Sequence, residues 1–405
     1  MRKIESQFQR KRPHPSYHWN AGYILGLDDS SLHYTELVRN PSNLQYYDIH
    51  DIVKIESAIP LQELSFFRTE WKNQVNLRLA RKRGMQIGSH LKRAVIAEHN
   101  SLRYSEHLGQ FGANFEMQFS DIIEISVGNL LSISKHVLYV NVIEPILRFL
   151  FIHKGYVLLH SACLSIDGKA ILISAGTDTG KTSTVLKCLQ NLECSFLSDD
   201  MTIIDPSGYC LCFPKPLTIS AHTVNSLNGG DGERLKGLKL QIQSKIHSKT
   251  GRRFMRLLGE LNLPILTLNA LGQMCVPPPK YPVWNLVNQV RTARKAKLTH
   301  MIFLERGSFS CEKISTEQAF AKALQNTEDA YGFPPYREVV KNLKINSKET
   351  IELKKREKYF IESVLKNVNC WVIRVPDHSW SDHLHTVMAL DDSPEDTYSP
   401  YALAL

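Results

Sequence analysis

The stretch Ala170-Ile-Leu-Ile-Ser-Ala-Gly-Thr-Asp-Thr-Gly-Lys-Thr182 decides how the rest of the chain is interpreted. Its apolar residues predict a short buried strand, a glycine-containing loop follows, and Gly180-Lys181-Thr182 is typical of a helix start. Such a loop points backbone N–H groups inward and, together with the helix N-terminus, can hold a phosphate chain. Lys181 would neutralise phosphate charge, and Thr182 would offer its hydroxyl to Mg²⁺.

Composition sets broad limits on the class of protein. The chain has 405 residues, of which 43% are hydrophobic and 22% charged, as in an ordinary soluble globular protein, and its length favours two domains. The net charge of +9 suits acidic partners such as phosphates, nucleic acid or an anionic membrane surface. It is equally typical of a nucleotide enzyme with a basic cleft.

Three features favour a cytoplasmic location without a membrane span. The eight cysteines have no zinc-site spacing and are interpreted as free thiols in a reducing compartment. The N-terminus carries no apolar segment of the secretory type. The longest apolar run, 137–151, has helical spacing but contains Asn141, Glu144, Pro145 and Arg148, so it is too short and too polar to cross a bilayer. Pro145 predicts a kink, or a helix that starts near Ile143.

The first third of the chain has no chemical signature. Patches of period-2 alternation, such as Phe115-Glu-Met-Gln-Phe119, predict an accessory α+β domain over residues 1–135. The basic run 78–83 is interpreted as a solvated helix face rather than an anion contact, because no aromatic residues interleave with the charges. A nucleotide-binding domain is expected over 136–390, and residues 391–405 are expected to form a tail.

The residues around the loop predict its neighbours in the fold. Two apolar runs joined by Asp167-Gly168 predict a hairpin in which the strand carrying His160 pairs with the strand that feeds the loop. The run 195–204 is interpreted as a strand with Asp199-Asp200 in its middle. Paired carboxylates in a buried strand are costly unless a cation meets them, and Mg²⁺ is the obvious candidate.

Other charged residues leave alternatives open. His160 is either a site residue or a hydrogen-bonded core histidine. The basic stretch 245–256 is either a solvated helix face or a contact for an acidic substrate. The group 291–297, with Arg291, Arg294, Lys295 and Lys297, precedes a core strand and is a candidate source of a transition-state cation. Helices are expected from about Thr316 and from about Ser347.

The order of these features resembles the HPr kinase/phosphorylase family, whose nucleotide-binding fold is shared with phosphoenolpyruvate carboxykinases. The resemblance covers about residues 140–220 and rests on Leu159-His-Ser-Ala162, the hairpin, the loop ending in Gly-Lys-Thr, and Ser198-Asp-Asp200 about one helix later. It implies an α/β fold, in which a P-loop nucleotide-binding domain follows a separate N-terminal accessory domain. ATP and Mg²⁺ are the implied cofactors.

Carried over by position, the resemblance also implies roles for individual residues. Asp199 would accept the proton of an attacking hydroxyl, His160 would sit near the γ-phosphate, and Lys181 would complete the catalytic set. Thr182 and Asp200 would bind Mg²⁺. The nucleotide phosphates would be held by Ala175, Gly176, Thr177, Asp178, Thr179, Gly180, Lys181, Thr182 and Ser183.

The favoured function is therefore an ATP-dependent kinase that transfers the γ-phosphoryl group to a hydroxyl of a protein serine or a small molecule. The alternative is a catalytically weak or inactive nucleotide-binding regulatory or scaffold protein. Ala175, at a position where the loop usually has glycine, and Asp178, a carboxylate inside the loop, favour that alternative. A carboxykinase-like enzyme acting on a small oxo-acid is a weaker third. Expected partners are a nucleotide and an unidentified hydroxyl-bearing acceptor. Nucleic acid is not favoured, and a homo-oligomer is left open.

Overall fold

A computed structural model describes residues 44–70, 74–83, 85, 93–176, 179–219, 263–275, 277–278, 280–331 and 336–391. These residues belong to one compact unit of mixed α/β structure. The predictions on Thr177 and Asp178, on the basic stretch 245–256 and on the tail beyond Asp391 fall outside the described residues.

Eight described strands form the first sheet, in the order β3-β1-β2-β4-β8-β7-β6-β5. Its strands are β1 Gln45–Ile49, β2 Val53–Ser57, β3 Arg68–Thr69, β4 Leu77–Arg81, β5 Ala94–Ala97, β6 Ser101–Ser105, β7 Phe115–Phe119 and β8 Ile123–Val127. β4 runs parallel to β2 and to β8, and the other neighbours are antiparallel. The alternation of Phe115, Met117 and Phe119 buries one face of β7, so the predicted strand is confirmed.

The basic run 78–83 is not a helix face. Its first residues belong to β4, where Leu77 and Leu79 are buried and Arg78 alternates with them. Arg78 forms ion pairs with Glu56 at 3.3 Å and with Glu124 at 3.0 Å on the two neighbouring strands. The helical interpretation is wrong because the period-2 burial of the leucines, rather than the arginine content, sets the local structure.

Ten described strands form the second sheet, which carries the candidate site. Its strands are β9 Val157–Leu159, β10 Ala162–Ile166, β11 Lys169–Ala175, β12 Ser195–Ser198, β13 Thr202–Ile204, β14 Tyr209–Leu211, β17 Arg291–Thr292, β18 Lys295–Arg306, β19 Ser310–Lys313 and β22 Asn369–Val375. The main order is β17-β12-β10-β11-β18-β14-β13-β9, and β22 pairs with β18 and β19. Two small antiparallel pairs complete the strands: β15 Leu217–Thr218 with β16 Lys280–Tyr281, and β20 Lys344–Ile345 with β21 Lys348–Glu349.

The predicted hairpin is confirmed as the pair β10 and β11. Asp167 and Gly168 form its turn with φ angles of 49° and 76°, the left-handed conformation that a tight hairpin turn requires. His160, however, lies before β10 rather than within it. The run 195–204 is not one strand either: β12 pairs with β10, whereas β13 pairs with β9 and β14, and Asp199-Asp200 form the bend between them.

The helices of the described residues are α1 Asn129–Ile133, α2 Lys135–Leu138, α3 Glu144–His153, α4 Lys181–Asn191, α5 Ile265–Cys275, α6 Thr316–Ala330, α7 Tyr336–Val339, α8 Thr350–Leu365 and α9 Trp380–Asp391. Short 3₁₀ helices span Gln62–Phe67, Val283–Asn285 and Val340–Asn342, and a π-helical segment spans Tyr139–Ile143. α6 begins with a capping box formed by Ser315 and Gln318, so its predicted start is confirmed. The helix expected from about Ser347 is α8, which starts at Thr350.

The apolar run around α3 is a core helix. The prediction that this run is too short and too polar to cross a bilayer is wrong by length and composition, because it belongs to the longer helical segment Lys135–His153. However, 78% of the most apolar window of that segment is buried inside the protein, which is compatible with a soluble protein. One apolar cluster includes Ile55 and Val127 of the first sheet together with Leu158 and Ile203 of the second. The predicted domain boundary near residue 135 stays a prediction. Residues on the two sides of this position share one hydrophobic core.

Candidate functional site

The site lies where four parallel strands end at one edge of the second sheet. β11 is parallel to β18, and β18 is parallel to β22. β10 is antiparallel to both β11 and β12, so β12 also runs parallel to β11. The carboxyl ends of such strands form the crevice in which open α/β sheets bind ligands. The predicted loop follows β11 there, and Asp199-Asp200 follow β12.

The loop residues that are described have the conformation that a strand-to-helix connection needs. Ala175 is the buried last residue of β11 and has extended backbone, so alanine meets no strain where glycine is usual. Gly180 has φ +130° immediately before α4. The loop closes through a hydrogen bond from the Thr179 N–H to the Gly176 carbonyl at 3.2 Å. The first N–H groups of α4, on Lys181, Thr182 and Ser183, have no partner within the helix and suit an anion.

Three of the predicted site residues meet in front of this loop. Lys181 Nζ lies 3.2 Å from His160 Nε2 and 3.8 Å from Asp200 Oδ1. His160 Nε2 lies 3.4 Å from the same Asp200 oxygen. The side chains of His160 and Lys181 are only 13% and 11% exposed, whereas that of Asp200 is 48% exposed. Asp200 is therefore the acidic group at the mouth of the cluster.

Asp199 lies deeper and pairs with the loop. The Thr182 hydroxyl donates to Asp199 Oδ2 at 2.8 Å, and Asp199 Oδ1 is buried without a hydrogen-bond partner among the described residues. Burial raises the pKa of Asp199 to about 6, although Lys181 and Thr182 favour the ionised form. The unpartnered oxygen is costly on its own, so it indicates a place for a proton or a cation.

Lys215 is a site residue that the sequence interpretation missed. Its Nζ donates to Asp200 Oδ2 at 2.8 Å and to Glu144 Oε2, at the start of α3, at 2.5 Å. Loss of solvation in the site raises the pKa of Asp200, but the ammonium groups of Lys215 and Lys181 outweigh this and hold it well below its ordinary value. A signal was present: Lys215 and Glu144 each interrupt an otherwise apolar stretch, and buried charges of opposite sign are expected to pair.

His160 is held in one orientation by α6. Its Nδ1 lies 3.1 Å from the Asn326 carbonyl oxygen and its backbone N–H lies 3.5 Å from Thr327 Oγ1. Burial, reinforced by Lys181, lowers the pKa of His160, so the ring is neutral at pH 7. Because Nδ1–H donates to the carbonyl, the lone pair of Nε2 faces the Lys181 ammonium group. The Asn326 amide also donates to Ser174 Oγ on β11 at 2.9 Å.

The donor set can be tested against Mg²⁺. Within the described residues, no group of three or more His, Cys, Asp or Glu side chains is arranged to hold a metal ion by itself. Mg²⁺ needs fewer protein ligands than this, because it combines one or two carboxylates with phosphate oxygens and water. The Thr182 hydroxyl and the Asp199 carboxylate fit this requirement. The Asp200 oxygens fit it less well, since they face Lys215 and Lys181.

The basic group 291–297 lies away from the site. It includes β17 and the start of β18, whereas the site is at the opposite end of β18. At about 3.3 Å per residue, Lys297 is roughly 30 Å from Arg306. Lys295 and Lys297 instead lie 4.7 Å and 5.1 Å from the centre of the Tyr209 ring. The prediction that this group supplies a transition-state cation is wrong, because the strand direction carries it away.

Comparison with known proteins adds no homologue: no protein-family model matches the chain, and none of the curated proteins does. Functional assignment therefore depends on the geometry described above: a strand–loop–helix element with an ordered cluster of lysine, histidine and carboxylate side chains in front of it.

Proposed function

We propose that this chain is an ATP-dependent phosphotransferase with a phosphate loop of the HPr kinase and phosphoenolpyruvate carboxykinase type. The observation that carries the proposal is the convergence of Lys181, His160 and Asp200 within 3.8 Å at the carboxyl edge of the sheet, next to the Thr182–Asp199 pair. Phosphoryl transfer requires positioning and charge neutralisation, and little further chemistry from the protein.

Each group has a task in this proposal. The free N–H groups at the start of α4 and the Lys181 ammonium bind the phosphate chain. Lys215 and neutral His160 surround the reactive end with a second cation and a fixed imidazole. Mg²⁺, when bound, would supply charge neutralisation and orientation of the phosphate oxygens. Thr182 and Asp199 would hold it.

We exchange the roles that the resemblance gave to the two aspartates, on the basis of their contacts. Asp199 is hydrogen-bonded to the loop threonine, and its second oxygen is buried, so we assign it to the metal. Asp200 is 48% exposed at the mouth and is kept ionised by its lysine neighbours. We therefore assign Asp200 to the acceptor hydroxyl, which it orients as a hydrogen-bond acceptor.

The first test is nucleotide binding. Titration calorimetry with ATP and Mg²⁺ is expected to show binding that Lys181→Ala weakens by at least tenfold, since an ammonium–phosphate contact is lost. The matched control, Lys366→Ala, removes an exposed lysine from the end of α8 and should bind as the parent does. Equal affinity of the parent and Lys181→Ala would refute the phosphate-loop assignment.

Turnover tests the two carboxylates, with water as the acceptor and release of phosphate from ATP as the signal. Asp200→Asn should bind ATP but lose most turnover, whereas Asp199→Asn should raise the Mg²⁺ concentration required. Asp121→Asn, at an exposed aspartate in the turn between β7 and β8, is the control. A loss of turnover in Asp199→Asn that no Mg²⁺ concentration restores would return the base role to Asp199.

A nucleotide-binding regulatory protein is the second candidate. One observation favours it: Lys215 and Lys181 both engage Asp200, so the carboxylate at the mouth is already occupied by cations of the chain. ATP binding without any phosphate release, in the parent and in every variant above, would support this candidate over the kinase.

A further inference from the structure

The crevice has a second side, away from the two aspartates. It is formed by Arg306, the last residue of β18, and by His378, which follows β22. Arg306 Nη2 donates to His378 Nε2 at 2.6 Å, and its guanidinium carbon lies 5.9 Å from the centre of the Trp380 ring. These contacts fix an exposed arginine in one place.

This second side touches the phosphate loop. A Cβ atom placed on Gly180 would lie 2.9 Å from His378 Nδ1 and 2.8 Å from Trp380 Cζ3. The Lys187 ammonium of α4 donates to the His378 carbonyl at 3.2 Å, and Trp380 Nε1 donates to the Glu305 carbonyl at 3.1 Å. His378 and Trp380 therefore pack against the end of the loop, where α4 begins, and Arg306 contacts both of them.

The carboxylates and Arg306 lie on opposite sides of the loop. Asp199 and Asp200 follow β12, which lies on the β10 side of β11, so the reacting end of a phosphate chain belongs there. β18 is the neighbour of β11 on the other side, about 4.8 Å away. A phosphate chain bound across the loop therefore leads its other end toward Arg306 and His378.

The charge of Arg306 also points to a ligand. Within the described part of the chain, no carboxylate lies within 4.0 Å of its guanidinium group, and its contacts are an imidazole and an indole ring. A planar guanidinium group can stack on a nucleobase and donate to ribose oxygens. An ammonium group cannot do both.

We propose that Arg306 and His378 bind the nucleoside half of the ligand, so that the site selects a nucleoside triphosphate over an inorganic polyphosphate. This inference rests on the proposed phosphotransferase site and adds to it the part of the ligand that does not react. It makes Arg306 a specificity determinant, with its side chain beside the ribose and base.

The test compares two ligands that share their phosphates. Titration calorimetry of the full chain is performed with ATP and with inorganic tripolyphosphate, each with Mg²⁺. Arg306→Ala is expected to weaken ATP binding about tenfold, the loss of one charged hydrogen bond or stacking contact, and to leave tripolyphosphate binding within about twofold. Arg306→Lys should behave like Arg306→Ala, because lysine keeps the positive charge but lacks the planar guanidinium group. Arg337→Ala, at an exposed arginine of α7, should change neither affinity.

Each remaining outcome has a defined meaning. Equal weakening of both ligands by Arg306→Ala would make Arg306 a phosphate ligand and overturn the nucleoside assignment. Unchanged ATP affinity in Arg306→Ala would also overturn the nucleoside assignment. In that case, loss of binding of both ATP and tripolyphosphate in Lys181→Ala would still support the phosphate loop. If the parent binds neither ligand, the proposed function itself is wrong, and the inference is refuted with it.

Discussion

Asp199 and Asp200 are adjacent in the chain, yet their surroundings differ in almost every respect. Asp199 is 7% exposed and bonded to the loop threonine, whereas Asp200 faces two lysines and a histidine at the mouth of the site. The bend between β12 and β13 turns the two side chains to different partners. The pKa values of two identical residue types are thus shifted in opposite directions by their environment alone.

Glu106 offers a test of burial at the scale of one residue. It is 1% exposed and accepts hydrogen bonds from the Tyr104 hydroxyl and the Thr267 N–H. Burial raises the pKa of Glu106 to about 7 from its ordinary value of 4.5. Between these two pH values the folded state binds a proton that the unfolded state has lost, so the free energy of unfolding decreases as pH rises through this window.

Glu106→Gln should remove that cost. We expect the substitution to stabilise the protein at pH 8 by about 2–3 kcal/mol and to have little effect at pH 4.5. Urea unfolding at the two pH values measures this difference. Glu362→Gln, at an exposed glutamate of α8, is the control and should change the free energy of unfolding at neither pH. A stability change that is the same at pH 4.5 and pH 8 would contradict the assigned pKa.

At the scale of elements, the junction of β11 and α4 depends on one glycine. Gly180 has a φ angle of +130° and packs under Trp380 and His378. Gly180→Ala should therefore cost about 1–3 kcal/mol in backbone strain, and further through displacement of α9. ATP binding should fall with it, since the start of α4 would move.

Gly272→Ala is the matched control for this substitution. Gly272 lies inside α5, and a Cβ there meets nothing within 4 Å, so alanine should be neutral or stabilise the helix by about 0.5–1 kcal/mol. Thermal unfolding and ATP titration of both variants measure the two effects. Normal ATP affinity in Gly180→Ala would show that the loop does not need this conformation.

Local patterns predicted several of these elements. The hairpin of β10 and β11 follows from Asp167-Gly168, and α6 follows from its capping residues, because both signals act over a few residues. The break between β12 and β13 could not be predicted from the sequence, because the apolar residues on the two sides of Asp199-Asp200 are also consistent with one longer strand. Lys215 and Arg306 were missed for another reason. Glu144, which pairs with Lys215, and His378, which pairs with Arg306, lie 71 and 72 residues away in the chain, and only the fold brings each pair together.

At the scale of the molecule, a buried arginine joins three helices. Arg148 of α3 is fully buried and donates to both oxygens of Glu357 in α8, at 2.6 Å and 2.7 Å. It also donates to Glu328 of α6 at 2.9 Å. Its guanidinium carbon lies 4.5 Å from the centre of the Tyr331 ring. The α6 end that holds His160 is therefore tied to α3.

Removing one partner of this pair should be costly. Arg148→Met is expected to lower the free energy of unfolding by about 3–5 kcal/mol, because Glu357 would be left as a buried, unpaired charge. Replacing both residues, as Arg148→Met with Glu357→Leu, should recover a large part of that loss. Denaturant unfolding of the parent, both single variants and the double variant measures the coupling. A cost below about 1 kcal/mol for Arg148→Met alone would show that the pair is not a structural tie.

The apolar cluster that joins the two sheets has a consequence for how the protein responds to a ligand. Ile55 and Val127 on one side, and Leu158 and Ile203 on the other, are parts of one core. β13, which carries Ile203, begins two residues after Asp200. A ligand that stabilises the folded state does so by mass action, and with a shared core that gain extends beyond the site. Slower proteolysis of the first sheet would then report on occupancy of a crevice that this sheet does not line.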